Sequence, residues 1–217
     1  MLAVNDQSQS LVDLFHHGTK LTYNRGEFVM RPGESPPGVF YIEEGLVRAY
    51  DITKYGEENL LVIRKNGEFL GLTFTVTGDD KKIIYQTLTP ATLWLLKHDE
   101  FTSNLIKNPE IALPLVDNLT EMYRVHSERI LNLEYRTVRE RLISFLLTTA
   151  RRFGEINDEG TLIKVPLRHQ DVASSINSSR ETTSREIAYL ERNKLIANRQ
   201  LFFTLTDVDG LKSYLVR

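Results

Sequence analysis

Residues 169–196 constrain the fold most, because their apolar spacing predicts two short helices joined by a tight turn. The apolar residues of the two helices are Val172, Ala173 and Ile176, followed by Ile187, Ala188, Leu190 and Leu195. Asn177 lies between the helices, and asparagine tolerates the positive φ that such a turn requires better than most residues do. Ser178 and Ser179 offer hydroxyl groups that can cap the second helix. The pattern therefore predicts a helix-turn-helix.

The first turn and a half of the second predicted helix is polar, and it carries Arg180, Glu181, Thr182, Ser184 and Arg185. A helix-turn-helix that binds DNA places the N-terminal residues of its second helix against base edges in the major groove. Arginine can donate two hydrogen bonds to guanine, glutamate can accept one from cytosine, and short hydroxyl side chains suit phosphate. The alternative interpretation is a solvated, charged helix face that is stabilised by pairs such as Glu181–Arg185.

The segment SSRETTSREIAYLERNKLI, residues 178–196, resembles the recognition helix and following strand of the cAMP receptor protein/fumarate–nitrate regulator (CRP/FNR) family of bacterial transcription factors. The resemblance continues without gaps back to about Asn108, and more loosely over the N-terminal half. It implies a homodimeric, sequence-specific DNA-binding regulator that is not an enzyme and has RNA polymerase as a further partner. It also implies an α+β architecture, which consists of an N-terminal double-stranded β-helix (jelly roll) sensor over residues 1–108, a dimerisation helix over residues 109–135, and a C-terminal winged helix-turn-helix over residues 136–217.

The resemblance assigns roles to polar residues of the helix-turn-helix and its surroundings. The expected base-reading residues are Arg180, Glu181, Ser184 and Arg185. The expected phosphate contacts are Arg168, Gln170, Ser179, Thr182 and Arg199. One branch of the family, with half-site TGTGA, shares the first two base-reading residues and Arg185, whereas the branch with half-site TTGAT shares the last three. We expect a palindrome with a TGA core in each half, and Arg180 favours TGTGA.

Residues 20–100 predict β-structure. Short runs of β-branched and aromatic residues alternate with turn signals such as Asn24-Arg25-Gly26 and Asn66-Gly67. Many short strands at close spacing favour a sandwich or jelly roll.

Within this block GEFLG, residues 67–71, resembles the start of the cassette with which cyclic nucleotide-binding relatives hold phosphate. Glycines let backbone N–H groups approach an anion. Here, however, Leu72 replaces the acid that grips the ribose, and Lys82-Ile83 replaces an Arg-Ser pair, so the bidentate fork of arginine is lost. We expect an unidentified small-molecule effector other than cAMP, and the alternative is a structural turn in a regulator that needs no effector. The expected pocket residues are Gly67, Glu68, Phe69, Leu70, Gly71, Leu72, Lys81, Lys82, Tyr123, His126 and Ser127.

Residues 109–135 predict one long helix. Pro109 suits its first turn, and Pro114 is tolerable only near the start. Its apolar stripe comprises Leu115, Leu119, Met122, His126, Ile130 and Leu133. The stripe fits burial against the β domain, whereas the resemblance implies that the helix pairs with its twin in a parallel homodimer. His126 is open to three interpretations, which are a core histidine in the seam, an effector contact, and a haem or metal ligand.

The chain after the long helix predicts a further helix that begins in a capping box, with Thr137 as N-cap and Glu140 reaching back, and that ends at Gly154. Residues 154–160 predict a polar loop, and residues 162–167 predict a short strand.

Three expectations concern the last part of the chain. The family usually places a threonine before the helix that starts at His169, and Arg168 replaces it here, so that cap is expected to be lost. Residues 195–205 predict two strands, which the resemblance identifies as a wing, with Asn198 in place of the usual glycine of the turn. Thr206 is expected to cap a last short helix.

Composition excludes several alternatives. The chain has no cysteine, which excludes disulfides and a cysteine-ligated iron–sulfur cluster. It shows no signal peptide and no run approaching the ~20 apolar residues of a membrane span, so a cytoplasmic protein without membrane contact is expected. An enzymatic metal site would need clustered ligands, and the β block offers only His98. Residues 136–217 hold 14 Lys and Arg against 10 Asp and Glu, whereas residues 1–135 hold 13 against 19, which fits a DNA-binding C-terminal part.

Overall fold

The computed structural model describes residues 5–31, 33–78 and 83–215, with side chains from residue 9 onward. These residues divide into two compact units. The first holds the residues up to Glu57 and Leu61–Tyr123, and the second holds Glu58–Leu60 and the residues from Arg124 onward. The boundary between the units falls within a single long helix, α4 (Ala112–Tyr135).

The strands described between residues 19 and 97 form two four-stranded sheets. Their bounds are β1 (Thr19–Tyr23), β2 (Phe28–Met30), β3 (Gly38–Glu44), β4 (Val47–Ile52), β5 (Glu58–Arg64), β6 (Phe69–Leu70), β7 (Ile84–Thr87) and β8 (Ala91–Lys97). The sheet orders are β1-β8-β3-β6 and β2-β7-β4-β5. β3 pairs in antiparallel register with both β6 and β8, and buried side chains such as Val39 and Ile42 face the interior. The jelly roll predicted from the short turn-bounded runs is confirmed.

Helices close one side of this β core. They are α1 (Asn5–His16), α2 (Leu72–Thr77) and α3 (His98–Lys107), and a 3₁₀ turn at Pro109–Ile111 precedes α4. Phe15 of α1 is fully buried, with its ring centroid 5.4 Å from that of Phe69 and 6.1 Å from that of Phe101. The helix α1 is therefore a core element of the first unit. The sequence pattern does not predict α2 or α3.

α5 (Val138–Phe153) begins at the predicted capping box. The Thr137 hydroxyl accepts a hydrogen bond from the backbone N–H of Glu140 at 3.4 Å, and the Glu140 carboxylate accepts one from the backbone N–H of Thr137 at 2.8 Å. The helix ends at Gly154 as predicted. A Cβ at this position would lie only 2.2 Å from the carbonyl oxygen of Ala150, so a larger residue does not fit there.

The polar loop predicted at residues 154–160 is wrong. β9 (Gly154–Asn157) and β10 (Gly160–Ile163) form an antiparallel hairpin instead. The Asn157 carboxamide oxygen accepts a hydrogen bond from the backbone N–H of Glu159 at 3.0 Å, which stabilises the turn. The polar composition thus reflects an exposed hairpin, and the next strand begins two residues earlier than predicted.

The remaining elements are α6 (His169–Ser175), α7 (Arg180–Arg192), β11 (Ile196–Arg199), β12 (Phe202–Leu205) and α8 (Val208–Ser213). The sheet of this unit has the order β11-β12-β10-β9. Its core includes the fully buried side chains of Leu142, Leu146 and Phe203. This is the predicted winged helix-turn-helix. None of the described helices combines the length and the apolar character that crossing a membrane requires.

One helix cap in this unit differs from the prediction. The Thr206 hydroxyl donates to the carbonyl oxygen of Lys194 at 2.7 Å and does not cap α8. Asp207 is the N-cap, because its carboxylate accepts a hydrogen bond from the backbone N–H of Gly210 at 2.8 Å. The expected cap is therefore one residue too early.

Candidate DNA interface and sensor cavity

α6 and α7 are joined by the predicted tight turn. Asn177 adopts φ 50°, the positive value expected of it. The backbone N–H of Ser178 donates to the carbonyl oxygen of Ala173 at 3.0 Å, which closes the end of α6. Val172, Ala173 and Ile176 are at most 3% exposed. The buried face predicted for α6 is thus confirmed.

α7 is anchored at its start and along one face. The Ser179 hydroxyl caps it by accepting a hydrogen bond from the backbone N–H of Thr182 at 3.1 Å. The buried face consists of Thr183, Ile187 and Leu190, which are at most 1% exposed. Ala188 was predicted to be buried and is exposed, because the buried stripe runs through Thr183, Ile187 and Leu190 and Ala188 is rotated by about 100° from Ile187 around the helix.

The first turn and a half of α7 is open to solvent. Arg180, Glu181 and Arg185 are all exposed. Nη2 of Arg185 donates to the Thr182 hydroxyl at 3.0 Å, and that hydroxyl lies 3.1 Å from Oγ of Ser179. An anchored helix thus displays two guanidinium groups and a carboxylate, which are the groups that pair with guanine and cytosine edges.

Ser184 is half-buried and takes part in a hydrogen-bonded group. Its hydroxyl oxygen lies 2.9 Å from Nδ1 of His169, the first residue of α6. The other ring nitrogen of His169, Nε2, lies 2.8 Å from the carboxamide nitrogen of Asn198 in β11. The imidazole therefore connects both helices of the helix-turn-helix with the wing. Sequence reasoning missed His169 as a site residue, because its partners lie 15 and 29 positions away and no periodicity relates them.

Arg168 is the N-cap residue of α6, and its side chain caps none of the first backbone N–H groups of the helix, so the predicted loss of the threonine cap is confirmed. The Asp171 carboxylate accepts a hydrogen bond from the backbone N–H of Arg168 at 2.9 Å. It also accepts two from the guanidinium of Arg168, at 3.0 and 2.8 Å. Asp171 at the third helical position therefore binds back to the N-cap residue, which is one half of a capping box. A phosphate bound by Arg168 would share that guanidinium with Asp171, whereas Gln170 is exposed in the first turn.

β11 and β12 form the predicted wing around a two-residue turn. Gln200 in this turn adopts φ 59°, so it takes the place of the usual glycine. The expectation that Asn198 does so is wrong, because Asn198 lies within β11 opposite Phe203. The side chain of Arg199 is 73% exposed and lies 3.0 Å from the Glu159 carboxylate.

A second group of side chains fastens α7 to α5. Nε of Arg139 donates to the Glu186 carboxylate at 2.6 Å, and its guanidinium lies 3.5 Å from the centroid of the Tyr189 ring. The hydrogen bond to Glu186 raises the pKa of Arg139 above its ordinary value. The Tyr189 hydroxyl lies 3.3 Å from that of Tyr214, and this hydrogen bond together with burial raises the pKa of Tyr214. These contacts hold the middle of α7 in place.

A small cavity lies in the first unit, where the effector pocket was expected. Its volume is about 60 Å³. Its walls include Met30, Arg64, Phe69, Gly71, Leu72, Phe74, Tyr85 and Leu119. Pockets for small-molecule ligands measure roughly 300–1,000 Å³. The cavity that the described residues enclose is therefore too small for a cyclic nucleotide and has room for a few water molecules.

The GEFLG segment is built into the sandwich. The two residues of β6 are at most 5% exposed. The buried Glu68 carboxylate lies 3.8 Å from the guanidinium of Arg64. Gly71 adopts φ 78° and approaches the backbone of Gly38 so closely that a Cβ would lie 2.5 Å from the Gly38 carbonyl oxygen. The glycine at this position is thus explained by packing between strands.

The structure brings only some of the expected effector residues together. Those that line the cavity are Phe69, Gly71 and Leu72, and Gly67, Glu68 and Leu70 are not among its lining residues. Tyr123 is 75% exposed. His126 and Ser127 are half-buried in the part of α4 that belongs to the second unit. Lys81 and Lys82 lie outside the described residues.

The predicted apolar stripe of α4 divides between two faces. Leu115 and Met122 are each 4% exposed and lie in the interior of their own chain, so placing them in a dimer seam is wrong. A neighbouring face carries Val116, Leu119, Tyr123, His126, Ile130 and Leu133. Val116 and Ile130 on this face are 52% and 57% exposed. The residues recur at alternating spacings of three and four, which is the heptad pattern of a coiled coil.

Two family models match the chain. A cyclic nucleotide-binding domain matches residues 20–108, and a Crp-like helix-turn-helix domain matches residues 140–214. Among similar relatives, the global nitrogen regulator of Synechococcus elongatus is 29% identical over 177 residues, which are 81% of this chain and 80% of the relative. The transcriptional activator protein FnrA of Stutzerimonas stutzeri is 22% identical over 211 residues, which are 97% of this chain and 85% of the relative.

Solved structures share the fold. A CooA mutant from Carboxydothermus hydrogenoformans superposes with a TM-score of 0.79 at 19% identity, covering 94% of this chain and 90% of that one. A CRP-family transcriptional regulator from Thermus thermophilus gives 0.75 at 23% identity, covering 89% and 95%. A cyclic nucleotide-binding domain joined to a Crp-like helix-turn-helix defines a transcription regulator with a sensor domain and a DNA-binding domain. The chain belongs to the CRP/FNR family of transcription regulators.

Proposed function

We propose that this protein is a homodimeric regulator that reads a palindromic operator with a TGA core in each half-site. The observation that carries the proposal is the start of α7. One face of the helix is buried through Thr183 and Ile187, while Arg180, Glu181 and Arg185 are exposed. A rigidly held helix whose exposed N-terminal residues carry paired donors and an acceptor suits insertion into the major groove.

The base assignments follow from hydrogen-bonding chemistry. Arg185 suits guanine through two donated hydrogen bonds, and Glu181 suits cytosine N4. Arg180, one turn before Ser184, suits a further guanine, and this favours TGTGA over TTGAT. Ser184 completes the proposed base-reading set.

The phosphate contacts fix the register of the helix on DNA. Ser179 and Thr182 lie at the N-terminus of α7, where the helix dipole and free backbone N–H groups favour an anion. Gln170 and Arg199 are exposed on α6 and the wing. Arg168 completes the set if its guanidinium serves both Asp171 and a phosphate, as a group with five N–H donors can.

The dimer is proposed along α4. The heptad face with Val116, Tyr123 and Ile130 at its exposed positions would pack against the same face of a second copy. Burying such apolar side chains contributes about 25 cal/mol per Å². A twofold dimer then presents two copies of α7 to half-sites about one helical turn apart.

The sensor domain is proposed to respond to a small molecule other than cAMP, with RNA polymerase as the further partner that the family implies. The cavity volume of about 60 Å³ and the buried Leu72 both disfavour cAMP. The same small volume favours a second candidate, in which the regulator needs no effector and its sensor pocket is vestigial.

Binding of the purified full chain to a TGTGA–N6–TCACA duplex, without effector and then with cAMP, tests these proposals. Tight binding without effector supports the second candidate. Binding that requires added metabolite extract supports an effector other than cAMP, and binding that requires cAMP overturns the interpretation of Leu72 and the cavity. If no condition gives binding to this duplex or to any sequence selected from random DNA, the DNA-reading proposal fails.

A further inference from the structure

His169 occupies a special place in the DNA-binding unit, because both of its ring nitrogens are engaged by side chains from other elements. Nδ1 lies 2.9 Å from Oγ of Ser184 on α7, and Nε2 lies 2.8 Å from Nδ2 of Asn198 on β11. The ring centroid lies 6.4 Å from that of the fully buried Phe203. The imidazole is therefore held between the first helix, the recognition helix and the wing.

The chemistry of the groups gives this chain of hydrogen bonds a direction. A carboxamide nitrogen only donates, so Nε2 of His169 accepts from Asn198. A neutral imidazole that accepts through one nitrogen carries its proton on the other, so Nδ1–H donates to Oγ of Ser184. One lone pair of the Ser184 hydroxyl is then occupied by His169. Its own proton stays available for a further acceptor.

The wing end of the chain is fixed independently. The backbone N–H of Asn198 donates to the Glu191 carboxylate of α7 at 3.0 Å. Asn198 is also paired across the hairpin with Phe203. The Asn198 carboxamide thus projects from a strand that is hydrogen-bonded to the recognition helix. All three side chains of the hydrogen-bonded series therefore lie on helices or strands.

We propose that His169 is a positioning residue which, through the relay Asn198–His169–Ser184, makes the Ser184 hydroxyl a hydrogen-bond donor toward DNA. The proposal rests on the proposed DNA-reading function. A donor at this position recognises a base with an acceptor on its major-groove edge, such as guanine O6 or N7, adenine N7, or thymine O4. It disfavours cytosine, whose N4 amino group is itself a donor. The relay thus determines which bases are accepted at one position of each half-site.

Two substitutions of His169 separate the two arms of the relay. Asparagine places a carboxamide nitrogen near the position of Nδ1, so His169→Asn retains a donor for Ser184 and loses the bond to Asn198. Glutamine places its carboxamide near the position of Nε2, so His169→Gln retains the bond to Asn198 and loses the donor. A residue with a merely structural role would respond to both changes in the same way.

The test is the relative affinity of the full chain for operator duplexes that carry each base in turn at every half-site position. Ser184→Ala and His169→Gln should each reduce discrimination against cytosine by about fivefold at the same single position, on the scale of one neutral hydrogen bond. His169→Asn should retain the discrimination against cytosine at that position. The relay would be overturned if Ser184→Ala left base discrimination unchanged at every position. It would also be overturned if the two His169 variants had equal effects.

A measurement on the free protein is independent of DNA. The ¹⁵N chemical shifts of the His169 imidazole at a pH where it is neutral should report the Nδ1–H tautomer, and the Nε2–H tautomer would overturn the proposed direction. If the wild-type chain binds DNA with normal sequence dependence and Arg185→Ala loses discrimination at its own base pair, while Ser184→Ala has no effect on base preference, only the relay fails. If the wild-type chain binds no DNA sequence selectively, the DNA-reading function fails as well.

Discussion

Replacing Arg185 with alanine should remove discrimination at one base pair of each half-site and leave the fold intact. Arg185 is exposed, and its contact within the protein is a hydrogen bond of 3.0 Å from Nη2 to the Thr182 hydroxyl. Because alanine favours helix and the lost contact is at the surface, the free energy of unfolding should change by less than about 0.5 kcal/mol. A bidentate arginine–guanine pair contributes about 1–3 kcal/mol of discrimination, which is roughly 5- to 150-fold in relative affinity.

The assay is competition binding between the TGTGA operator and duplexes with single base changes. All duplexes are compared at one salt concentration, because phosphate contacts make affinity depend steeply on salt. Arg192→Ala is the matched control, since Arg192 is an exposed arginine in the last turn of the same helix and should not change base preference. An equal loss of affinity for every duplex in Arg185→Ala would refute the reasoning, because it would make Arg185 a phosphate contact.

Three further predictions concern stability and assembly. Thr137→Ala removes the cap of α5 and should lower the free energy of unfolding by about 1 kcal/mol in urea titrations, and an unchanged midpoint would contradict the capping role. Ile130→Glu should shift the protein toward monomer in sedimentation velocity with its secondary structure retained. Leu115→Ala should instead lower the free energy of unfolding by about 2–5 kcal/mol. The reverse pattern would contradict a dimer interface on the exposed face of α4. The hydrogen bond from Lys20 lowers the pKa of Glu43 below its ordinary value of 4.5. This hydrogen bond therefore stabilises the fold fully above the ordinary pKa, and the stabilisation is lost as the pH falls through the lowered pKa of the folded protein. Glu43→Gln should therefore destabilise the protein at pH 7 and make little difference in acid, and equal destabilisation at both pH values would argue against the ion pair.

The helix-turn-helix was predictable because its signals are local. The apolar spacing, the positive φ of Asn177 and the Ser179 cap all depend on neighbours within a few residues. The capping box of Thr137 and Glu140 is of the same kind. Such features require no knowledge of which surfaces later pack together.

The exposed face of α4 could not be identified from sequence spacing alone. A stripe through Leu115 and Met122 and one through Val116 and Tyr123 have nearly the same helical period, and only packing within the first unit decides which of them is buried. The role of Asn198 was mistaken for a related reason. Its partner His169 lies 29 residues away, and only the fold brings their side chains together.

The hairpin at residues 154–163 was missed because its composition is polar. Its strands are stabilised by the ladder between β9 and β10 and by the Asn157 turn, and the exposed face gives no apolar alternation to read. The small size of the sensor cavity could not be predicted from the sequence either. The glycines of GEFLG are compatible with a phosphate cradle, and only the closeness of Gly71 to Gly38 identifies the packing between strands.

Selection of bound duplexes from a random DNA pool by the purified full chain tests the central claim most directly. We expect an enriched palindrome with TGA in each half and half-sites centred about one helical turn apart. An enriched motif without twofold symmetry would contradict the dimer. The absence of any enriched motif would contradict the DNA-reading function of α7.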